Sequence, residues 1–331
     1  MTFQDNHINR RQFLNQLGMV TAAGFVAETA FGATKPWFTI SLAEFSLAGS
    51  LFSGKLKNMD FPAKAKNEFG ISAVEYVSMF WQDKAKDQAY LSELKQRTAD
   101  LGVTNVLIMV DNEGDLGAND ATKRLQAVEN HYKWIEAAQF LGCHSIRVNM
   151  TGDGTPEELM KAGVEGYEKL VEFGEKASIG VIIENHINVS TNPDWLVSLL
   201  KQVQNPYAGV LPDFGNFTER ELPKNLTIEG YQNAKILHEF DKYEGVKKLM
   251  PFAKGVSAKT HKFDANGNCT DVDFAKMMPI VKANLPKSFK GYIGIEYEGG
   301  VMKMMGSKEN YLDEDAGIKA TKALLEKALL S

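Results

Sequence analysis

The amino-acid sequence predicts an α/β protein, a single-domain (β/α)8 barrel that follows an N-terminal signal segment. Short runs of β-branched and aromatic residues alternate eight times with longer helical patterns, which is typical of a parallel sheet. The runs start roughly 30 to 45 residues apart, the spacing of strand–helix–strand units. Eight such units favour a closed barrel over an open doubly wound sheet, and no GxGxxG motif follows the first run.

The N-terminal segment, residues 1–32, is predicted to be a signal peptide. Asn9-Arg10-Arg11-Gln12-Phe13-Leu14 resembles a twin-arginine export signal, and Ala30-Phe31-Gly32 supplies the small residues of a cleavage site. The apolar stretch between them is too short and too weakly apolar to span a bilayer permanently, so stable membrane insertion is not expected. We therefore expect residues 33–331 to form the mature barrel and to be periplasmic.

The elements follow one another along the chain with clear boundaries. The strand-like runs cover residues 38–45, 73–79, 105–110, 145–149, 180–184, 209–213, 255–259 and 292–296. Helix starts are predicted at Asp60, Asp120 and Thr155, the last followed by Pro156 and Glu158, and an amphipathic helix closes the chain over 313–330. Less regular stretches at 46–60, 114–119 and 216–229 follow strands one, three and six, where a barrel carries its active-site loops.

Composition excludes several functional classes. The chain has 331 residues and a formal net charge of −5, without a cluster of basic residues, which argues against a nucleic-acid partner. Cys143 and Cys269 belong to no CxxC motif, so a zinc ribbon and a thioredoxin motif are excluded. A small buried thiol is the expected state of Cys143, and the sequence leaves open whether the two cysteines meet.

Ionisable residues end the last four apolar runs, at the strand ends that face the mouth of such a barrel. The segments are Ile183-Glu184-Asn185-His186, Leu211-Pro212-Asp213-Phe214-Gly215-Asn216-Phe217, Ala258-Lys259-Thr260-His261 and Ile295-Glu296-Tyr297-Glu298-Gly299. Charges that converge from four neighbouring strands are costly to bury unless something compensates them. A divalent cation would do so, and three carboxylates with one imidazole suit Mn, Mg, Co or Zn.

Together these segments resemble the xylose isomerase-like TIM-barrel family, the sugar phosphate isomerases and epimerases, over most of the chain after Thr34. The resemblance implies one divalent metal ion bound by Glu184, Asp213, Glu296 and a ligand from strand seven. Many relatives place a histidine within that strand, where this chain has Ser257 or Lys259. His261 is therefore the expected fourth ligand.

The resemblance also implies proton transfer next to a carbonyl, through a metal-stabilised enediolate. Glu184 and Glu296 are expected on opposite sides of the substrate, where one removes a proton and the other returns it. Lys259 is expected to stabilise the oxyanion or to act as an acid. The side chains expected to contact the substrate are His186, Asn216, Arg147 and Asn149.

The sequence therefore favours a metal-dependent isomerase or epimerase of sugars or keto-sugars. A lyase that eliminates a group beside a carbonyl, for example from a 3-keto-glycoside, would use the same residues, and an exported location suits it. A non-catalytic periplasmic sugar-binding barrel is a further alternative. A DNA-repair nuclease with this barrel is disfavoured, because only His186 and His261 lie near the mouth. The substrate, the metal and the oligomeric state stay open, and a homo-oligomer is compatible with the sequence.

Overall fold

Eight parallel strands form the centre of the computed structural model, which describes residues 36–221, 230 and 234–329. The strands are β1 Thr39–Ala43, β2 Ala73–Val77, β3 Thr104–Met109, β4 Ser145–Val148, β5 Gly180–Glu184, β6 Ala208–Leu211, β7 Val256–Thr260 and β8 Tyr292–Tyr297. All eight predicted strands are confirmed, with bounds within two residues of the expected ones.

The sheet closes on itself. Strands β1 to β6 pair in chain order, β8 pairs with β1 on the other side, and β7 pairs with β8. Two isolated parallel bridges, Val210 with Ala253 and Asp213 with Ser257, connect the β6 edge to the β7 edge. This closed order confirms the (β/α)8 barrel, and it brings the carboxyl ends of all eight strands to one mouth.

Over the described residues, eight longer helices alternate with the strands. They are α1 Phe61–Phe69, α2 Gln88–Leu101, α3 Ala121–Leu141, α4 Pro156–Ala177, α5 Pro193–Gln202, α6 Lys242–Leu249, α7 Phe274–Ala283 and α8 Glu314–Leu329. The predicted caps are confirmed at α3 and α4. Asp120 accepts hydrogen bonds from the first-turn amides of α3, and Thr155 and Glu158 form a reciprocal capping box at the start of α4.

Side-chain alternation along the strands separates the barrel interior from its outer layer. Ala73 and Val77 flank Glu75 at alternate positions of β2, and Ile182 precedes Glu184 by two residues on β5, so these side chains share the inner face. The apolar residues among them belong to a small buried cluster. The outer faces of the strands pack against the helices in a much larger core.

The segment after β6 differs from the expected irregular loop. Thr218–Arg220 pairs antiparallel with Ile236–Glu239, and His238 of the second strand bonds to Glu219 of the first. The second strand is exposed at every position, so it lacks the apolar alternation by which sequence analysis recognises a strand.

Both cysteines, Cys143 and Cys269, are buried free thiols. The predicted signal peptide at residues 1–32 lies outside the described residues. Over the part of the chain that is described, no helix combines the length and the apolar character needed to cross a membrane.

Candidate active site

Three carboxylates meet at the mouth of the barrel. Glu184 is the last residue of β5, Asp213 follows β6 by two residues, and Glu296 lies in β8. All three are buried, and one oxygen from each lies within 4.8 Å of the others. Asn185 links two of the strands, because its side chain accepts a bond from the Asp213 amide at 2.8 Å and donates to the Asp213 carbonyl at 3.2 Å. The structure thus brings together the three carboxylates predicted as metal ligands.

The segment after β6 orients the Asp213 carboxylate. Oδ1 accepts hydrogen bonds from the amides of Gly215 at 2.7 Å and Asn216 at 3.0 Å. Oδ2 accepts from the Ser257 hydroxyl at 2.7 Å. The Asp-Phe-Gly-Asn sequence therefore makes a turn that presents the carboxylate to the barrel axis.

The burial of these acids makes their charges costly. Burial raises the pKa of Glu184 to about 7, although Arg147 opposes the shift. Burial likewise raises the pKa of Asp213 to about 8, although Lys259 opposes the shift. Both groups would ionise more readily if a cation joined them.

The donor set fits a divalent cation. Three carboxylates provide the oxygen ligands that hard divalent ions prefer. Within the described part of the chain, Glu184 Oε2 has no hydrogen-bond partner. The Arg147 Nε atom lies 2.9 Å from it, as an ion pair without hydrogen-bond alignment. A buried, charged oxygen without a hydrogen bond is what a missing ligand partner would leave.

Strand β7 contributes a hydroxyl and an ammonium group to this centre. Ser257 stands beside Asp213 in the closing bridge, and its Oγ lies 2.9 Å from Glu296 Oε2. Lys259, two residues on, is 3% exposed and places Nζ 3.5 Å from Glu296 and 3.9 Å from Asp213. Its shortest contact is to Glu298 Oε1, at 2.9 Å.

His261, the expected fourth ligand, is not part of the carboxylate cluster. Its Nε2 lies 3.2 Å from Glu298 and its Nδ1 lies 3.5 Å from Asp271. Burial disfavours the charged ring, but Asp271 and Glu298 raise the pKa of His261 to about 9. Ser257, which forms a bridge with Asp213, is the β7 residue at the level of the carboxylates. His261 lies further along the chain, one residue after β7 ends at Thr260.

The predicted substrate contacts surround the carboxylates and bond to one another. Arg147 donates to Asp111 at 2.8 Å and pairs with Glu184, while being 3% exposed. Asn216 donates to Glu184 Oε1 at 3.0 Å. Asn149 Oδ1 lies 2.7 Å from His186 Nδ1. Arg147 is thus a buried counter-ion, whereas the other three side chains are only partly enclosed.

Burial lowers the pKa of His186 to about 4, with Lys259 and Arg147 adding to the shift. The ring is therefore neutral near pH 7. Because its Nδ1 faces the Asn149 carbonyl oxygen, we assign the proton to Nδ1 and a free lone pair to Nε2.

Two acids of the mouth, Asp111 and Glu298, were not among the predicted site residues. Asp111 follows β3 and accepts bonds from Arg147 and Asn149, each at 2.8 Å. The signal that identified the late strands, an apolar run ending in an acid, is also present at Met109-Val110-Asp111. Glu298 belongs to the acidic segment at the end of strand eight, but its partners Lys259 and His261 lie far from it in the sequence.

Aromatic residues follow strands β1 and β2. Phe45 and Phe80 follow β1 and β2 and pack against the inner apolar cluster. Their ring centroids are 6.4 Å apart, and Phe52 contacts Phe80 at 5.1 Å with 56% of its surface exposed. These three rings form an aromatic wall beyond the ends of β1 and β2, of a kind that suits the apolar face of a sugar.

A further carboxyl group, Glu75, lies within the barrel. Ser41 donates to its Oε1 at 2.5 Å, and a Cβ at Gly294 would stand 2.5 Å from its Oε2. Burial raises the pKa of Glu75 from 4.5 to about 8, so the folded protein keeps a proton that the unfolded chain releases. The contribution of this group to the free energy of unfolding is therefore lost as the pH rises from about 4.5 to about 8.

Replacement of Glu75 by glutamine is expected to flatten the pH dependence of stability, because a neutral amide has no proton to lose. The wild-type free energy of unfolding should fall by up to about 1.4 kcal/mol more per pH unit than that of the variant. Urea unfolding at pH 5 and pH 8 measures the difference. Equal slopes for both proteins would show that Glu75 is ionised in the folded state.

Sequence and structure comparisons place this site in a known fold. The chain matches the family described as xylose isomerase-like TIM barrel over residues 63–327. Comparison with curated proteins finds no match.

Among solved structures, a D-psicose 3-epimerase with D-fructose is similar, with 13% identity, a TM-score of 0.66, and coverage of 88% of this chain and 100% of the other. A 3-keto-D-glucoside 4-epimerase from E. coli has 13% identity, a TM-score of 0.57, and coverage of 87% and 99%.

A third similar structure, from Mycobacterium smegmatis, is a xylose isomerase-like TIM barrel protein in complex with magnesium. It has 14% identity, a TM-score of 0.58, and coverage of 88% of this chain and 97% of the other. Identities this low establish the shared fold, whereas the family match covers most of the chain. The protein therefore belongs to the xylose isomerase-like TIM barrel family.

Proposed function

We propose that this protein is a metal-dependent isomerase or epimerase of sugars or keto-sugars, acting by proton transfer at a carbon next to a carbonyl. The observation that carries the proposal is the buried centre of Glu184, Asp213 and Glu296 at the barrel mouth. The similar folds of a ketohexose epimerase and a keto-glucoside epimerase support the reaction class.

Two of the three carboxylates are our candidates for the groups that transfer protons. Glu184 and Glu296 stand on β5 and β8, strands separated by β6 and β7 around the barrel. A substrate carbon between them would meet one carboxylate on each face, so one could remove a proton and the other return it. Epimerisation needs this two-sided arrangement, because the proton returns to the opposite face.

The neighbouring polar groups would bind and orient the substrate. Lys259 presents an ammonium group beside Glu296 that would stabilise negative charge on a substrate oxygen. His186 offers a neutral ring and Asn216 an amide at the same mouth, both suited to hydroxyl groups. The Phe45 and Phe80 rings would pack against the apolar face of the sugar and exclude water.

We assign the metal to Glu184, Asp213 and Glu296, with Mn, Mg, Co or Zn as the candidate ions. Bound there, the ion would withdraw electron density from neighbouring substrate oxygens and so make the adjacent carbon more acidic. The carboxylates would in turn be held ionised, since a cation within a few ångströms opposes the effect of burial on their pKa.

Metal content tests the ligand assignment directly. Purified wild-type protein is expected to hold about one divalent ion per chain after reconstitution, and Glu296→Gln to lose most of it, because an amide oxygen is a weaker ligand than a carboxylate. Mass spectrometry of the metal measures both. Glu75→Gln is the matched control, a carboxyl replacement inside the same barrel but outside the cluster, and it should retain the ion. Equal occupancy in Glu296→Gln and wild type would refute the assignment.

Incubation in deuterated water tests the reaction itself. Ketohexoses and 3-keto-glucosides are offered to the reconstituted enzyme, and NMR follows deuterium entering the carbon next to the carbonyl. An epimer or an aldose–ketose pair with deuterium at that carbon supports the proposal. Turnover without deuterium exchange in any substrate or product would contradict proton transfer to and from solvent-exchanging groups.

A lyase acting on a 3-keto-glycoside is the second candidate. The aromatic wall favours it, because the rings continue from the inner cluster to exposed Phe52, beyond the residues around the carboxylates. A glycoside has a second group that could lie along this wall, whereas a free monosaccharide does not. The same NMR assay separates the two functions, since elimination releases the second group and epimerisation keeps it attached.

We also propose that the protein is exported to the periplasm. The support is the twin-arginine segment at Arg10-Arg11 and the small residues before Ala33. Fractionation of cells that express the full chain, compared with cells that express the double variant Arg10→Lys and Arg11→Lys, tests this location. The variant is expected to stay in the cytoplasm, because the export signal depends on the arginine pair. Equal periplasmic amounts of both chains would contradict the proposed route.

A further inference from the structure

Lys259 occupies an unusual position for a protein that binds a cation at this centre. Its ammonium group is buried 3.5 Å from Glu296 and 3.9 Å from Asp213, two of the proposed metal ligands. Like charges repel strongly at such distances in a buried site. A lysine here can either take the place of the cation or be held away from it.

The contacts of the ammonium group indicate that it is held away from the cation position. Nζ donates a hydrogen bond to Glu298 Oε1 at 2.9 Å and a longer one to Asn216 Oδ1 at 3.4 Å. Its contacts with Glu296 at 3.5 Å and Asp213 at 3.9 Å are ion pairs, longer than the bond to Glu298 by 0.6 Å or more. Glu298 therefore draws Lys259 outward. Because β7 pairs with β8, Lys259 stands opposite Glu296, and Glu298 lies just beyond that pair.

Glu298 is itself fixed from the solvent side. His261 Nε2 contacts its other carboxylate oxygen at 3.2 Å, and Asp271 lies 3.5 Å from His261 Nδ1. The side chains become more exposed along this chain of contacts, from 3% at Lys259 to 16% at Glu298, 24% at His261 and 36% at Asp271. Charges thus alternate in sign from the centre to the surface.

We propose that Glu298 is a tether that keeps the Lys259 ammonium group away from the cation position at Asp213 and Glu296, and that His261 positions this tether. The inference rests on the proposed metal site and adds to it two residues that bind no metal. Lys259 and a divalent cation then compete for the same carboxylates, and Glu298 shifts the competition towards the cation.

Titration with Mn²⁺ alone, followed by calorimetry, measures this competition in the full mature chain. Lys259→Met is expected to bind Mn²⁺ at least roughly tenfold more tightly than wild type, because a charge within ~4–6 Å changes the affinity of a site for another charge by ten- to thousandfold. Glu298→Gln is expected to bind at least roughly tenfold more weakly. Lys259→Gln, which keeps a hydrogen-bond donor, provides a second test if Lys259→Met is unstable.

The double variant distinguishes a tether from a simple loss of negative charge. If Glu298 acts by holding Lys259, then Glu298→Gln should change Mn²⁺ affinity by less than about threefold once Lys259 is methionine, since the two residues are then uncoupled. If Glu298 acts only through its own charge, the loss of affinity should be as large in both backgrounds, and the tether would be refuted. His261→Ala should weaken binding in wild type and have little effect beside Lys259→Met.

Lys254→Met is the matched control, because Lys254 is also buried and lies two residues before the start of β7, where it donates to the Pro206 carbonyl. The Mn²⁺ affinity of this variant should equal that of wild type within about twofold, since Lys254 lies five positions before Lys259, roughly 16 Å away along an extended chain. Equal affinities of wild type and Lys259→Met would refute the tether while leaving the metal-dependent function intact. No Mn²⁺ binding by any variant would refute both.

Discussion

Glu184→Gln and Glu296→Gln are each expected to lower kcat/KM by about a thousandfold or more. Each substitution removes a carboxylate placed for proton transfer, which alone contributes roughly 10²–10⁴-fold, and also removes one of three proposed metal ligands. Both residues are almost fully buried, so solvent cannot readily replace the lost group. Steady-state kinetics on the substrate identified by deuterium exchange measures the effect.

The two roles of these carboxylates can be separated by raising the concentration of Mn²⁺. If a variant recovers its metal but not its turnover, the missing carboxylate acts as a base or acid. If turnover returns with the metal, the residue serves as a ligand only. Glu75→Gln is again the control, and its kcat/KM should fall by less than about tenfold. Activity within tenfold of wild type for both site variants would contradict the proposed mechanism.

Arg147→Met is expected to lower the free energy of unfolding by about 3–5 kcal/mol, the cost of leaving buried charges without their partner. The guanidinium group contacts both Asp111 and Glu184 at less than 3 Å, and it is 3% exposed. Methionine would fill much of the space but compensate neither carboxylate. Urea unfolding at pH 7 measures the loss.

The free energy of unfolding of Arg147→Met should also depend on pH differently from that of wild type. Burial opposes ionisation of Asp111, but the adjacent guanidinium group of Arg147 lowers its pKa below the ordinary value of 3.8. A lowered carboxyl pKa contributes stability above the unfolded value, and that stability is lost as the pH falls through the folded value. Without Arg147 this contribution disappears. The difference in the free energy of unfolding between wild type and Arg147→Met should therefore become smaller below about pH 4.

Arg97→Met is the control for both measurements. Arg97 also pairs with two carboxylates, Asp60 and Glu93, but it is 44% exposed at the side chain. Its loss should lower the free energy of unfolding far less than the loss of Arg147, because water screens such pairs. Equal costs for the two arginine variants would show that the Arg147 contacts do not stabilise the buried site.

Local sequence was sufficient for the elements of the barrel. Most of the strands are short, largely apolar runs whose residues are buried on both faces, and several helices carry their boundaries in single residues, such as Asp120 and Gly142 around α3. These signals act within a few residues, so they can be recognised without knowing the fold. The hairpin after β6 was missed because its strands are short and exposed.

The candidate site was predictable to the extent that strand ends define it. Glu184, Asp213 and Glu296 each end or follow an apolar run, and the closed order of a parallel barrel obliges such residues to converge. The position of His261 could not be predicted in the same way. His261 lies one residue beyond the end of β7, where it contacts Glu298 and Asp271 and is no longer at the level of the carboxylates.

The sequence by itself determined the fold class, the order of the strands and the three acidic residues at their ends. Only the tertiary structure decided that Ser257 stands level with those acids, that Arg147 is a counter-ion for Glu184, and that Glu298 holds Lys259. The physical reason is the distance along the chain over which each kind of interaction acts. Strand and helix signals depend on neighbours in the chain, whereas the partners of a buried charge are chosen by strand register and side-chain length across the barrel, between residues tens of positions apart.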